Sequence, residues 1–293
     1  MSDLEALVFG RQRRVGEEFG VYKQVHVARS TDERVLQRCQ DGGAVTTLLI
    51  SALQSGAIDS AIVSGFDPKS PWLPKPMVAT TVDEVISCAG TRYAYSPNII
   101  AFKEAVDRGY KHIAFVGTPC QVQALRRIQT SSRKKDADTV AFVIGLFCTE
   151  SFSYDGLMLE KLHQDMGIPL DNITKISIKG RLLVYMKDGS TREVSLTEVK
   201  RYIRKGCQRC GDFSSELADI SAGGIGLEGW TLTIIRSDKG EETFTDAVWR
   251  GLLDVRAGNE FRRPLNLVVR LSKSKRRRAQ REQKHNKPSA LEG

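Results

Sequence analysis

The sequence lacks the features that mark several common protein classes. Its 293 residues contain no run of about 18 apolar residues that could span a bilayer. The start, MSDLEALVFGRQRR, is acidic and has no apolar signal core. The four histidines follow no metal-like spacing, and no HExxH or Ser-His-Asp pattern is present. We therefore expect a cytoplasmic protein, with any membrane association made through partners, in which a cofactor carries any chemistry.

The composition supports a packed globular protein. Apolar residues make up 41% of the chain and charged residues 27%, which leaves enough apolar surface to bury and argues against wholesale disorder. Six cysteines are present. In a reducing compartment they favour metal binding, redox chemistry or buried thiols over structural disulfides.

The formal net charge of +9 is concentrated near the C-terminus. In the segment LSKSKRRRAQREQKHNK, 271–287, Lys and Arg far outnumber the single Glu. Two interpretations stay open: a solvated helical end, or a docking surface for an acidic partner. Nucleic acid is not expected as a partner, because no aromatic residues interleave with the charges and no recognisable binding module precedes them.

Helical and strand patterns alternate between about residues 40 and 150. Helical periodicity over GGAVTTLLISALQSG, SPNIIAFKEAVDRG and TPCQVQALRRIQ separates short apolar runs that predict buried strands, namely IDSAIVSG, KHIAFVG and TVAFVIGLFC. We expect Ser96 to cap the second helix, with Pro97 in its first turn. Alternating strands and helices favour a parallel sheet that is covered on both faces.

The pattern changes after about residue 170. ITKISIKGRLLVYMKDGSTREVSL predicts an antiparallel meander, TEVKRYIRKG predicts a helix, and WTLTIIRSDKGEETFTDAV predicts a hairpin that runs into a helix. The predicted fold class is α/β, with an N-terminal parallel-type αβ sheet, a smaller α+β antiparallel region and a helical basic C-terminus. These parts correspond to residues 1–165, 166–270 and 271–293.

Four cysteines occupy positions that favour a ligand. Cys120 lies in the first turn of a predicted helix directly after a strand, where amide N–H groups and the helix dipole stabilise a thiolate. Cys148 ends the next predicted strand, and the carboxyl ends of parallel strands open at the same edge of a sheet. Cys207 and Cys210 form the one CxxC of the chain. We expect these four thiols to converge.

The spacing leaves the bound group open. Zinc sites usually combine two close pairs of ligands, whereas a four-iron cluster can take thiolates from scattered loops. A CxxC can also form a redox disulfide. The two remaining cysteines, Cys39 and Cys88, are expected to be core thiols, since free cysteine is among the most buried residue types.

Two glycine-rich stretches could lie beside a cofactor. Gly42 and Gly43 open the first clear helix and precede Thr46, and small residues at a helix start let backbone amides approach an anion. A plain tight turn explains this pair equally well, and the pair forms neither a GxGxxG fingerprint nor a P-loop. The stretch AGGIG, 222–226, either borders a cofactor or closes a hairpin.

Taken together, QDGGAVTTLL, GTPCQVQALR, GLFC, KGCQRCGDFSSELADIS and GGIGLEGWT resemble the beta-subunit family of coenzyme F420 hydrogenase and its dehydrogenase relatives. The resemblance runs from about residue 20 to 275, with the motifs in the same order. It implies one FAD, one [4Fe-4S] cluster and a site for the deazaflavin F420. Many members carry an acidic residue where this chain has Gly224, so no role is carried over to that position.

The resemblance also implies particular residues. The cluster ligands would be Cys120, Cys148, Cys207 and Cys210. The QDGG turn and the GTRYAYSPN loop would hold the flavin, through Gly42, Gly43, Thr46, Thr91, Arg92, Tyr93 and Asn98. No side chain is expected to be catalytic, because FAD carries the chemistry. Basic candidates for the anionic F420 are Arg92, Lys103, Arg126, Arg127 and Lys205.

The implied function is that of an oxidoreductase. Electrons from a nickel–iron large subunit and an iron–sulfur small subunit would pass through the cluster and FAD to F420 as hydride, within a higher oligomer of the heterotrimer. The AGGIG loop favours the hydrogenase subunit, as does the lack of an appended ferredoxin domain. The beta subunit of an F420-dependent formate dehydrogenase or F420H2 dehydrogenase stays open, as does a non-catalytic assembly subunit stabilised by zinc or a cluster.

Overall fold

The computed structural model describes residues 2–132 and 134–285. Its strands are β1 (Gln24–Ser30), β2 (Ser60–Phe66), β3 (Pro74–Ala79), β4 (Ile113–Gly117), β5 (Val140–Leu146), β6 (Ile173–Ile178), β7 (Arg181–Met186), β8 (Thr191–Ser195), β9 (Ile220–Gly223), β10 (Thr231–Ile235) and β11 (Leu253–Ala257). Its α-helices are α1 (Ser2–Phe9), α2 (Glu33–Leu36), α3 (Ala44–Gln54), α4 (Val82–Ser87), α5 (Asn98–Asp107), α6 (Pro119–Ile128), α7 (Lys134–Ala137), α8 (Leu196–Val199), α9 (Lys205–Gln208), α10 (Asp238–Trp249) and α11 (Arg262–His285). A π-helix spans Asp155–Asp165. Short 3-10 turns span Leu170–Asn172, Lys200–Tyr202 and Gly258–Glu260.

A mixed eight-stranded sheet forms the main body, in the order β11-β1-β10-β9-β5-β4-β2-β3. The central strands β2, β4, β5 and β9 pair in parallel, and β4 is buried along its whole length. β1 is antiparallel to β10, which is antiparallel to β9, so β1 points the same way as the central strands. Pro74 and Pro76 lie on the edge strand β3, where a missing backbone donor is tolerated.

Helices cover both faces of this sheet. On one face, the apolar sides of α3, α4 and α10 pack on the sheet, with Leu48, Ile86 and Phe244 in a shared core. On the opposite face, α5 and α6 pack on the central strands through Phe102 and Leu125, and α11 packs on β1 and β10. The α/β fold class is confirmed, including the covered parallel strands.

The predicted antiparallel meander forms a separate three-stranded sheet, β6-β7-β8. Its apolar face packs with the π-helix in a third core, around Leu157, Leu162 and Val184. β9, β10 and β11 lie within the expected 166–270 unit but belong to the large sheet. The sheet therefore draws strands from both sides of residue 165, and the three-part division of the chain stays a prediction.

Three local predictions differ from the structure. α5 begins at Asn98 with Pro97 at the N-cap, because Ser96 directs its hydroxyl to the side chain of Asn98 instead of capping the helix. The predicted second hairpin is one strand, β10, followed at once by α10, whose first turn is capped by the side chain of Ser237. The predicted helix over 197–206 is broken into α8, a 3-10 turn and the start of α9.

No described helix is both long and apolar enough to cross a membrane.

Candidate cofactor-binding site

One edge of the large sheet gathers the residues that the sequence singled out. Five strands, β1, β2, β4, β5 and β9, end there, since they all run in the same direction. The turn before α3 follows β1, Cys120 follows β4, Cys148 follows β5 and Gly224 follows β9. Ligands of open parallel sheets usually bind at this edge.

Local sequence signals position the first two thiols. α6 begins directly after β4, because Pro119 fills its first position and Thr118 and Gln121 form a capping box. Cys120 is exposed in the first turn, with its Sγ 3.3 Å from the Thr118 hydroxyl. Cys148 is partly buried two residues after β5.

The CxxC reaches the same edge from the second half of the chain. The N–H of Cys148 donates to the carbonyl of Phe213, three residues after the CxxC, at 2.9 Å. The N–H of Ser151 donates to Sγ of Cys207 at 3.4 Å. The thiol of Cys210 donates to the carbonyl of Asp212 at 3.5 Å. Hydrogen bonds therefore tie the segment after β5 to the CxxC on both sides.

Electrostatic interactions connect all four thiols. Burial raises the pKa of Cys148 to about 12, Lys275 opposes this rise, and Cys207, Cys120 and Cys210 each add to it. Yet no three His, Cys, Asp or Glu side chains of the described residues converge tightly enough to hold one metal ion. A single zinc ion needs thiolates about 2.3 Å from a common centre.

The other two cysteines lie apart from this group. Cys39 is buried, and its thiol donates to the carbonyl of Asp41 at 2.8 Å. Cys88 is partly buried, with its Sγ 3.7 Å from Sδ of Met77. Burial raises the pKa of both thiols.

The glycine pair has a structural explanation that the sequence left open. A Cβ on Gly42 would lie 2.5 Å from the carbonyl oxygen of Ala28, so the turn must pass close to the sheet backbone. Gly43 is the N-cap of α3 with φ +74°, and a Cβ there would lie 2.7 Å from Cγ1 of Val35. Both glycines are thus required by the turn itself. Thr46 in the first turn of α3 is buried, and the first amides of a helix have no intrahelical acceptor.

The loop before α5 holds a poorly neutralised guanidinium. Arg92 donates to backbone carbonyls at 3.1–3.3 Å, namely those of Gly65, Cys88, Ala89 and Gly90. Its guanidinium lies 3.8 Å from the centre of the Phe66 ring. No carboxylate in the described part of the chain forms an ion pair with it, and burial lowers its pKa to about 10. A guanidinium in this setting is suited to an anionic ligand.

The neighbouring predicted residues differ in what they contact. Thr91 is exposed. Asn98 is buried, donates to the carbonyl of Val116 at 2.8 Å and accepts from Ser64 and Ser96, so its amide fastens the loop to the sheet. Its assignment to the flavin stays a prediction.

Tyr93 connects the two halves of the sheet edge. Its carbonyl accepts from the N–H of Phe152 at 3.0 Å and from the Ser151 hydroxyl at 3.3 Å, on the thiol side. Burial raises the pKa of its phenol. A hydrogen bond with the backbone of Ile178 in the small sheet lowers that pKa, and the charge of Asp41 raises it. Tyr93 therefore lies between the segment that follows Cys148 and the turn that contains Asp41.

A buried ionic network holds the segment after the CxxC. Glu216 is 1% exposed, and its carboxylate accepts from Arg13 at 2.5 Å and from Arg276 on α11 at 2.6 Å. Arg13 also pairs with Glu5 on α1. This role of α11 was not predicted from the sequence, although the acidic Glu216 in the ELADIS motif and the basic run on α11 are both visible there.

Most basic candidates for F420 are committed elsewhere or lie on the surface. Arg126 is buried and pairs with Asp219 at 3.0 Å, so it is not available to a ligand. Lys103 pairs with Asp107 one turn along α5. Arg127 and Lys205 are exposed. Of the five candidates, only Arg92 lies within the described site with no carboxylate partner.

The AGGIG stretch forms part of the connection between antiparallel β9 and β10 and also borders the site. A Cβ on Gly224 would lie 1.8 Å from Oδ2 of Asp41, in the turn before α3. Burial raises the pKa of Asp41, and Lys175 and Lys179 at the small sheet oppose that rise. Asp41 was not singled out from the sequence, because its neighbours at residues 175–179 and 224 are remote along the chain.

Comparison with known proteins identifies relatives over nearly the whole chain. Residues 25–103 match the N-terminal profile of the coenzyme F420 hydrogenase/dehydrogenase beta subunit, and residues 110–260 match the C-terminal profile. The coenzyme F420 hydrogenase subunit beta of Methanothermobacter thermautotrophicus is 36% identical over 267 residues, which cover 89% of this chain and 94% of that protein. The subunit of Methanosarcina barkeri is 38% identical over 264 residues, covering 87% and 89%.

A solved structure agrees with the sequence matches. A chain of the xenon-derivatised F420-reducing [NiFe] hydrogenase complex from Methanosarcina barkeri superimposes with a TM-score of 0.89 at 35% identity. The match covers 95% of this chain and 97% of that one.

Proposed function

Because the chain belongs to the coenzyme F420 hydrogenase/dehydrogenase beta-subunit family, we propose that it is the F420-reducing subunit of a nickel–iron hydrogenase complex that holds one [4Fe-4S] cluster and one FAD. The main support for this proposal is the arrangement of residues at one edge of the large sheet. Cys120, Cys148 and the turn before α3 follow strands that end at this edge. Arg92 donates to the carbonyl of Gly65 near the end of β2, and Cys207 is hydrogen-bonded to the segment after β5.

The cysteines would hold the cluster. Cys120, Cys148, Cys207 and Cys210 supply four thiolate ligands of the type that iron–sulfur clusters require. The N–H of Ser151 donates to the sulfur of Cys207 and would stabilise its thiolate. The backbone bond between Cys148 and Phe213 fixes the spacing between the two parts of the ligand set.

The flavin would lie beside the turn before α3. Backbone amides in the first turn of α3 and the positive end of the helix dipole suit its pyrophosphate. Arg92 would add a positive charge, and the phenol of Tyr93 would close the site toward the small sheet. When bound, the cluster supplies one-electron transport and FAD supplies the exchange between single electrons and hydride.

The partners would be a nickel–iron large subunit and an iron–sulfur small subunit, in a higher oligomer within the cytoplasm. Cys120 is the exposed one of the four cysteines. Near the CxxC, three basic residues are exposed, namely Arg204, Lys205 and Arg209. An electron-donating subunit with an acidic face would dock on this side, because complementary charge steers association.

Spectroscopy and acceptor assays test the proposal. The chain prepared without oxygen should show flavin absorption bands with a broad iron–sulfur shoulder. It should reduce artificial acceptors from F420H2 but show no hydrogen uptake, because such uptake needs two CxxC pairs in a nickel–iron subunit and only one CxxC is present. A colourless protein that contains zinc would instead support a non-catalytic assembly subunit.

Co-purification separates the members of the family. A nickel–iron large subunit bound to the chain supports the hydrogenase assignment. Formate dehydrogenase or membrane-chain subunits bound in its place would assign the same site to an F420-dependent formate dehydrogenase or an F420H2 dehydrogenase.

A further inference from the structure

One lysine of α11 is buried without a carboxylate partner. Lys275 is 6% exposed, and its Nζ donates to the carbonyl oxygen of Cys148 at 2.5 Å. Within the described residues no carboxylate forms an ion pair with this ammonium. A buried charge is costly unless it is paired, so the location of Lys275 calls for an explanation.

Its basic neighbours on the same helix differ in this respect. Three of them form ion pairs with carboxylates. The pairs are Lys273 with Glu18 at 3.0 Å, Arg276 with Glu216 at 2.6 Å, and Arg278 with Glu150 at 3.0 Å. Lys275 alone in this stretch of α11 points into the thiol site.

Contacts on both sides hold α11 over the site. Arg278 donates to the carbonyl of Thr149, next to Cys148, at 3.1 Å. On the other side Gly211, next to Cys210, lies beside α11, where a Cβ on Gly211 would make an ordinary van der Waals contact with Cβ of Ala279 at 3.5 Å. The helix therefore delivers Lys275 to a defined position between the two halves of the ligand set.

We propose that Lys275 compensates the negative charge of the cluster site and thereby sets the cluster's reduction potential. This inference rests on the proposed cluster. Cysteines that bind a metal are thiolates, so a loaded site places several anionic sulfurs beside this ammonium. Net charge and hydrogen bonding around the sulfurs are among the factors that set the potential of iron–sulfur centres. A fixed positive charge favours the reduced form, which is the more negative one.

Neutral and charged substitutions of Lys275 in the full chain test this role. Lys275→Met removes the charge and retains much of the apolar length, Lys275→Arg retains the charge, and Lys273→Met is the control on the exposed side of the same helix. The readouts are iron content and the cluster's midpoint potential, from a redox titration followed by electron paramagnetic resonance. At a fixed ambient potential, Lys275→Met should lower the ratio of reduced to oxidised cluster about ten-fold, which is about 59 mV for a one-electron couple.

Each outcome separates the possibilities. A lowered ratio in Lys275→Met, with wild-type values in Lys275→Arg and Lys273→Met, supports the proposal, as does iron loss in Lys275→Met alone. An unchanged potential in an iron-loaded Lys275→Met variant overturns it. Equal losses of iron in the Met and Arg variants also overturn it, because they would indicate a steric role. A wild-type chain without iron would instead contradict the proposed function.

Discussion

The carboxylate of Asp41 lies in the space that a side chain at Gly224 would occupy. A Cβ on Gly224 would lie 1.8 Å from Oδ2 of Asp41. The resemblance to the family implied an acidic residue at position 224 in many relatives. In this chain a carboxylate stands beside that position, and it comes from the turn before α3.

Replacing Asp41 with asparagine should stabilise the fold at neutral pH. Burial raises the folded-state pKa of Asp41 above its value in the unfolded chain, so the folded state penalises the carboxylate. The penalty is present above the folded-state pKa and disappears as the pH falls toward the unfolded-state value. Urea unfolding should give Asp41→Asn a higher free energy of unfolding at pH 7, with the difference shrinking at acidic pH.

Asp254 on β11 provides the matched control for this measurement, because it is exposed. Asp254→Asn should leave the free energy of unfolding unchanged at both pH values. Equal stability of Asp41→Asn and the wild type at pH 7 would contradict the burial penalty.

Replacing any one of Cys120, Cys148, Cys207 or Cys210 with alanine should remove most of the iron while FAD can remain. Cys120, Cys207 and Cys210 each act electrostatically on Cys148, and a cluster held by three ligands is weakened. Iron and flavin are measured on protein prepared without oxygen. Cys88→Ala is the control and should keep its iron, and full iron content in the fourfold variant would refute the ligand assignment.

The flavin position is tested better at Thr46 than at Gly43. Valine at Gly43 would combine a left-handed backbone with a contact to Val35, so we expect a stability loss of about 1–3 kcal/mol that hides any effect on the flavin. Thr46→Val changes only a hydroxyl in the first turn of α3. It should weaken FAD binding about ten-fold, about 1.4 kcal/mol, with little change in the melting temperature.

Flavin release followed by titration with FAD measures this affinity. Ser55→Ala, at the opposite end of α3, is the control, because its hydroxyl makes only local contacts: it donates to the carbonyl of Ala52 and accepts from the N–H of Ala57. If Thr46→Val binds FAD like the wild type, the Thr46 hydroxyl does not contact the flavin.

The basic tail should affect stability and assembly through different residues. Arg276→Met removes one partner of the buried Glu216 carboxylate and leaves Arg13 as the other, so the free energy of unfolding should fall by about 1–3 kcal/mol.

Arg277 and Arg281 are exposed. Reversing both to glutamate should leave stability, FAD and iron unchanged but weaken association with an acidic partner at low salt, and less so at high salt.

Deletion of the whole tail would not separate these effects, because it also removes Lys275 and Arg276 from the site. Neither sequence interpretation of the tail, a solvated end or a docking surface, included these internal contacts. Lys287 and the residues around it lie outside the described residues. If the double reversal assembles with the wild-type salt dependence, the exposed face of α11 is not a docking surface.

Short-range signals in the sequence determined much of the site. Thr118, Pro119 and Gln121 define the start of α6 within four residues, so the placement of Cys120 after a buried strand could be predicted without any tertiary contact. Cys148 at the end of β5 and the spacing of the CxxC are local in the same way. Apolar periodicity likewise predicted the helices that cover the parallel strands and the three-stranded meander.

Only the tertiary structure decided which distant segments meet at these positions. The hairpin predicted after Trp230 became a single strand because β10 pairs with both β9 and β1, and those pairings depend on the whole sheet. In the sequence, Lys275 and Arg276 are part of a run of basic residues. In the structure, Lys275 contacts Cys148 and Arg276 contacts Glu216, and these contacts define the roles of the two residues. A local pattern reports the propensity of its own segment. The cost of burying a charge, and the group that compensates it, depend on residues far away in the chain.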